Sequence, residues 1–512
     1  MVFTSFDFLI FLSLLFPVYF LFPQRFRWVL LLAASGYFYS YLRLSYLVYL
    51  IVPTLVIYGI AVKLEAMKPG PWKKLLLFAG VISGLACLLL FKYADFIGRS
   101  VYAAGGIFGG GGKYEPFNFI LPIGISFYSF KLVSYIIDVY HERLNAERHI
   151  GYFTLYVSFF PQLLAGPIDR AVHFIPQLKK KIRFDYDRVV SGLRLTAWGF
   201  FKKLVIADQL AAVVNQVYGN VHNYAGVPLI AATIAYTFQI YCDFSGYSDI
   251  AIGVSRIFGF KSMKNFDSPY SSTSIVKFWN NWHISLTTWL RDYLFLPIAY
   301  AVMGKIKSPK LAGIKAETWG YAGGMFITMF LGGLWHGARW TFVLWGSVHG
   351  IFLIFSYITK KTRKRAVKKI KLNRYPGLHK FVKVSITFGL VAFAWIFFRA
   401  DSISDAFYIV THLHTGLAAF IGDAAEAFLF NLSLKPAIDL IARLGIPVVV
   451  LNKVIIAVII MEGVQLVQRK TNIDTWFSRK PLWVRWSCYY TLLVIILYWG
   501  RYDIKEFIYF QF

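Results

Sequence analysis

Apolar residues in this chain gather in long blocks instead of alternating with polar ones at a period of two or 3.6 residues. Residues 75–91 form one such block and 486–500 another. A bilayer span needs roughly 20 apolar residues to cross a hydrocarbon layer ~30 Å thick. On that criterion the pattern predicts spans at 6–22, 27–43, 45–62, 75–91, 117–139, 190–216, 228–257 (broken), 320–335, 339–358, 382–398, 447–467 and 484–500. The block at 447–467 is the least clean, because Asn452, Lys453 and Glu462 fall inside it. The first block lacks a basic leader and a small-residue cleavage site, so it reads as a retained anchor rather than a signal peptide. The fold class expected is all-α, a polytopic integral membrane helical bundle of about 11–13 spans. A single transmembrane domain over 1–512 is expected, with its core motifs within 117–407.

Two stretches depart from simple spans. Residues 152–177 (YFTLYVSFFPQLLAGPIDRAVHFIPQ) are interrupted by Pro161, Gly166 and Pro167. Irregular backbone at membrane depth persists only where protein or a wet cavity covers it, so a re-entrant segment beside a cavity is predicted. Residues 274–300 place Trp279, Trp282, His283, Leu286, Leu290 and Tyr293 at helical spacing, opposite Lys277, Asn281, Ser285, Thr288 and Arg291. That spacing predicts an amphipathic helix at the interface or against the bundle. The glycine-rich run 105–112 reads as a flexible loop; Tyr114 follows Lys113, so it lacks the Ser/Thr of a phosphate loop. No internal repeat is seen, which counts against an inverted-repeat transporter.

Composition sharpens this picture. The 512 residues are 58% hydrophobic and 15% charged, where a soluble chain of this length would be more evenly balanced. The aromatic share of 19%, with residues such as Tyr37, Tyr39, Tyr41, Trp483 and Trp486 near block ends, suits interfacial belts. The net charge of +29 is concentrated in loops, above all Lys360, Lys361, Arg363, Lys364, Arg365, Lys368, Lys369, Lys371 and Arg374. Such loops mark the cytoplasmic side and can also attract anionic lipid or an anionic cofactor. No base-stacking module accompanies them, so no nucleic-acid partner is expected. The three cysteines, Cys87, Cys242 and Cys488, show no ligand or disulfide spacing, and no metal site is predicted.

Ionisable groups inside spans cost several kcal/mol unless paired or wet, so they are candidates for function. His336 lies in LGGLWHGARW (331–340), next to Trp335 and after Gly332 and Gly333, where small residues allow close approach. An imidazole exchanges a proton near neutral pH, as acyl transfer to a hydroxyl requires. A hydrogen-bonded packing histidine at a turn is the plainer reading. His283 sits at the edge of its predicted apolar face, as an inward-pointing ring or an interfacial anchor. Residues 236–250 carry Gln239, Asp243, Ser245, Ser248 and Asp249 in an apolar run. They suit a polar cavity lining or a structural network better than a nucleophile, since the G-x-S-x-G pattern is absent. Were 336–349 one helix, His349 would face about 140° away from His336, and it reads as structural.

Seven segments resemble the membrane-bound O-acyltransferase (MBOAT) family, and within it the branch concerned with alginate O-acetylation. They are LPIGISFYSFKLVSYIIDVY (121–140), FFPQLLAGPIDR (159–170), YCDFSGYSDIAIG (241–253), FWNNWHISLTTWLRDYLFLP (278–297), LGGLWHGARWTFVLWGSVHG (331–350), WIFFRADSISDAF (395–407) and FIYFQF (507–512). The resemblance implies a funnel-shaped bundle with a tunnel between the two membrane faces. It implies His336 and His283 as the catalytic pair, with Trp279, Asn281, Trp282, Trp335, Asp243 and Asp249 lining the tunnel. It further implies acetyl-CoA (or another acyl-CoA) as donor substrate, with no tightly bound cofactor. The implied partners are membrane lipids, an exported polysaccharide acceptor and a periplasmic or extracellular acetyltransferase protein, and the implied location is the bacterial inner membrane. A transporter or channel with a His/Asp proton relay, or an acyltransferase acting on a lipid or protein acceptor, are the alternatives.

One constraint comes from charge. With the basic loops 305–315 and 360–374 both cytoplasmic, spans 320–335 and 339–358 form a hairpin with His336 at its turn. The turn then lies either far from the cytosol or part-way through the bilayer, the Gly-rich sequence favouring part-way.

Overall fold

A computed structural model describes residues 1–107, 114–429, 439, 448–471, 473–503 and 507–508. They are overwhelmingly helical, as expected; the strands among them are a short antiparallel hairpin, Lys310–Leu311 with Ile314–Lys315. Seven helices are long and apolar enough to cross a membrane: Tyr46–Ala66, Pro71–Gly105, Val227–Ile257, Trp340–Ile358, Pro376–Arg399, Val449–Gln468 and Leu482–Trp499. The described residues form two compact units, one from Met1–Thr196 with Tyr247–Lys264, the other from Ala197–Gly246 with Asn265–Phe512.

In the first unit, helices Tyr46–Ala66, Pro71–Leu88 and Ile125–Tyr140 pack together. Gly80 and Gly84 let them close: a Cβ at Gly80 would lie 2.0 Å from Ile136 Cδ1. The span expected at 75–91 is part of a helix running on to Gly105, through a π-helical turn at Leu89–Tyr93. The rest of the run 105–112, from residue 108 on, lies outside the described residues. The span expected at 117–139 becomes helical only at Ile125. Pro116 and Pro122 disfavour helix ahead of them, and Gly124 turns at φ 83° beneath Leu163 O.

The segment 152–177 breaks where its prolines and glycine predicted, into helices Ile150–Ser158, Phe160–Leu163 and Ala171–Leu178. Its irregular stretch is buried and pinned by polar side chains. Lys131 Nζ donates to Tyr156 O at 3.1 Å and Gln162 Oε1 at 2.9 Å. The Asp169 carboxylate accepts from Gln162 Nε2 at 2.6 Å and Met263 N at 2.9 Å. Burial raises the Asp169 pKa, while these hydrogen bonds and the nearby Lys131 charge oppose the rise.

The span expected to be broken at 228–257 is instead one unbroken helix, Val227–Ile257. Its hydroxyls turn back on their own helix, as Thr237 Oγ1 does to Thr233 O at 2.8 Å, and so do not disrupt it. Gly246 serves close packing and does not break the helix, since a Cβ there would lie 2.8 Å from Gly199 O. In the same second unit, Lys203 Nζ bridges Asp208 at 2.8 Å and Asp243 at 2.7 Å, and Asp243 also accepts from Ile508 N at 2.8 Å. All three side chains are buried.

Candidate active site

Three local features of the second unit carry the histidines. The first is a chain break. The single amphipathic helix expected over 274–300 does not form; helix Ile275–Asn281 stops, and a new one, Ile284–Leu290, begins. Trp282 is extended and His283 adopts φ 41°, ψ 54°, a left-handed conformation that histidine tolerates better than bulky or β-branched residues do. The break is held from outside the helix. Asn265 O accepts from Ile284 N at 2.9 Å, its Oδ1 accepts from Ser285 Oγ at 2.7 Å, and Thr287 Oγ1 donates to Trp282 O at 3.0 Å. These long-range partners override the helical periodicity, and they turn His283 fully inward, with no exposed surface.

The second feature is the hairpin of helices Ala316–His336 and Trp340–Ile358, which has His336 as the last residue of its first arm, as expected. Its arms touch backbone to backbone: a Cβ at Gly333 would lie 2.3 Å from Phe342 O, and one at Gly346 2.1 Å from Met329 O. Gly333 therefore serves helix approach. At ~1.5 Å rise per residue both arms reach about 28–31 Å, enough to cross. Near the turn, Arg339 lies 4.0 Å from Asp401, both side chains more than half exposed, and the largely covered Arg399 lies 3.4 Å from the same carboxylate.

The third is a chain of rings. Trp335 touches both histidines, 6.0 Å from His283 and 5.0 Å from His336 by ring centroids. His336 meets Trp345 edge-on at 4.9 Å and Phe398 at 5.3 Å. Trp345 in turn meets His349 at 5.0 Å. The break at Gly337 removes the single-helix geometry that would have turned His349 away, so both rings pack on one indole. This was not legible from spacing along a continuous helix. Trp279 Nε1 donates to His349 Nδ1 at 3.3 Å. Indole nitrogen can only donate, so Nδ1 is the acceptor and the neutral ring carries its proton on Nε2. That N–H and the Trp345 Nε1–H are buried without an acceptor among the described residues. Thr341 Oγ1 is in the same state, and 341, 345 and 349 share one face of their helix at four-residue spacing.

The expected lining residues divide. Trp279, Trp335 and both histidines come together. Trp282 packs with Phe266, Phe278 and Trp395, and Trp395 stacks in turn on Trp345 at 5.5 Å, so Trp282 joins the same assembly one ring further out. Asn281 Nδ2 donates to Ser272 Oγ, holding the loop before it. Asp243 is spent on Lys203, while its neighbour Phe244 meets His283 edge-on at 4.5 Å. Asp249 belongs to the first unit. The resemblance implied a tunnel at the histidines; here His336 is 3% exposed and His283 not at all. Burial pushes the His283 pKa down to about 3, which keeps that ring neutral at physiological pH.

The family model for MBOAT, the membrane-bound O-acyltransferase family, matches residues 146–394, which include His283, His336 and His349. The chain is 39% identical over 412 residues to a probable alginate O-acetylase of Pseudomonas putida, covering 79% of each protein. It belongs to the membrane-bound O-acyltransferase family. The chain is therefore a multi-pass integral membrane O-acyltransferase. A peptidoglycan O-acetyltransferase of Helicobacter pylori is 31% identical over 419 residues, covering 76% of this chain and 73% of that protein. A teichoic acid D-alanyltransferase of Bacillus subtilis is 29% identical over 298 residues, covering 56% of this chain and 70% of that protein.

Proposed function

We propose that this O-acyltransferase moves an acetyl group from a cytosolic thioester, acetyl-CoA, to hydroxyls of an exported polysaccharide, with His336 as the base. The observation that carries the reading is the contact of both His336 and His283 with the Trp335 indole, each histidine lying at a chain break. A neutral imidazole at 336 would take the proton from the attacking hydroxyl as the thioester carbon–sulfur bond breaks. The leaving thiolate receives the proton in exchange, and general-base help of this kind is worth about 10²–10⁴-fold. His283, neutral, positions donor or acceptor. Trp279 and Trp335 exclude bulk water from the thioester. The Trp345 and His349 N–H groups supply donors for the oxygen on which negative charge develops.

The relatives support an acetyl group and a cell-envelope polymer: two are named for O-acetylation, of alginate and of peptidoglycan. Purified protein in nanodiscs, given radiolabelled acetyl-CoA and a polysaccharide acceptor, tests the reading. Thioester consumption is expected in the wild type. For His336→Gln a loss of about 10²-fold or more is expected, with an unchanged melting temperature. Wild-type turnover in that variant would remove His336 from the chemistry. Solute flux without thioester cleavage would favour a transporter.

A further inference from the structure

The first unit holds a cavity of about 350 Å³ lined by two ledges of chain, 24–28 and 178–182, with Tyr19, Tyr152 and Phe260 among its walls. Five of its lining residues are cationic, Arg25, Arg27, Lys179, Lys180 and Lys181, and none is acidic. The cations have different roles. Arg27 is structural: its guanidinium donates to Phe20 O, Phe22 O, Gln24 Oε1 and Ile182 O at 2.7–3.0 Å. Gln24 Nε2 adds a bond to Lys180 O at 3.3 Å. These bonds tie one ledge to the other, so the cavity is held open by backbone and not by mobile tips. Lys179 is neutralised by Glu147 at 2.7 Å. Arg25, Lys180 and Lys181 remain, with no carboxylate partner among the described residues.

Large apolar side chains stand exposed on the flanking segments, beside ionic ones such as Arg183 and Asp185. Leu21 is 84% exposed, Phe26 43% and Phe184 56%, on the segments that form or flank the ledges. In a membrane protein such side chains face acyl tails, and Trp28 and Tyr152 at the cavity wall suit headgroup depth. A cationic hollow with an apolar rim fits a ligand with an anionic head and a hydrocarbon body.

We propose that this cavity is a binding site for the phosphate headgroup of an anionic phospholipid. Arg25, Lys180 and Lys181 meet the phosphate, and the rim takes the acyl chains. The site stands apart from the acyl-transfer reading and owes nothing to it.

Full-length protein in detergent, delipidated and titrated with phosphatidylglycerol or phosphatidylcholine, is assayed by native mass spectrometry. The wild type is expected to retain phosphatidylglycerol preferentially. The triple variant Arg25→Gln, Lys180→Gln, Lys181→Gln is expected to bind it at least about tenfold more weakly, from the loss of three near-surface cations. A control variant, Arg43→Gln, Lys68→Gln, Lys74→Gln, removes equal charge from exposed positions outside the cavity and the basic loops and is expected to bind normally. Equal retention in the triple variant, or an equal loss in the control, overturns the site. Coenzyme A competing for the cavity at micromolar concentration overturns the lipid in favour of a soluble nucleotide phosphate. Trp28 fluorescence at the wall, quenched by brominated phosphatidylglycerol in the wild type and not in the triple variant, is the second expected readout.

Discussion

His283 combines a left-handed backbone with a buried, neutral ring, and both have measurable consequences. Its pKa falls from 6.5 to about 3 on folding, so between those values the unfolded chain holds the extra proton. The stability tied to this ring is therefore complete above about pH 6.5 and is lost as pH drops toward 3, at ~1.4 kcal/mol per unit. His283→Asn keeps a residue suited to φ > 0 and removes the titration. Its melting temperature is expected to fall less between pH 7 and pH 5 than that of the wild type. A parallel fall in both would show that His283 does not stay neutral. His349 has a different part. His349→Phe keeps an aromatic ring but deletes the Nε2–H, together with the Nδ1 that accepts from Trp279, and a loss of about 10²-fold in kcat with little change in KM is expected, as for a donor used only in the transition state. Equal losses in kcat/KM and thermal stability would make it a packing residue. Sequence singled out His336 and His283 by their chemistry. It misplaced the His349 ring, which shares the Trp345 indole with His336, because a side chain's neighbours across a helix break are not written in its spacing.

At the scale of elements, the hairpin and the Lys203 cluster hold the rings in place. Gly333 and Gly346 bring the arms Ala316–His336 and Trp340–Ile358 into backbone contact, and a methyl group at either position meets a carbonyl oxygen. Gly346→Ala is expected to cost about 1–3 kcal/mol and to splay the arms. Activity should then fall with the folded fraction measured by thermal unfolding; full stability with full activity would mean the arms have slack. Lys203 is the cation between two buried carboxylates. Lys203→Met leaves Asp208 and Asp243 facing each other and is expected to destabilise by about 3–5 kcal/mol, read as loss of folded protein on size-exclusion. The hydrophobic blocks marked most helices to within a few residues. Two predictions failed for one reason: the break at Trp282–His283 and the continuity of Val227–Ile257 are both decided by hydrogen bonds. Partners near in sequence kept one helix whole, and distant partners at Asn265 split the other.

For the whole molecule, the charge pattern and the hairpin predict an orientation in the membrane. The basic loops 305–315 and 360–374 lie at the open end of the hairpin, and Arg339 at its turn. A cysteine replacing Arg339, in a chain cleared of its three cysteines, is expected to react with an impermeant thiol reagent only from outside the cell. Labelling only after the membrane is opened would reverse the orientation. Block length, aromatic belts and loop charge determined by themselves that this chain is a polytopic helical membrane protein, because the bilayer imposes those requirements on every span. The ordered motifs marked its family. Tertiary structure alone decided which side chains meet: that Asp243 is spent on Lys203, that Trp335 touches two imidazoles, and that His349 shares an indole with His336. Such pairings depend on backbone breaks stabilised by residues far along the chain, and local periodicity carries no record of them.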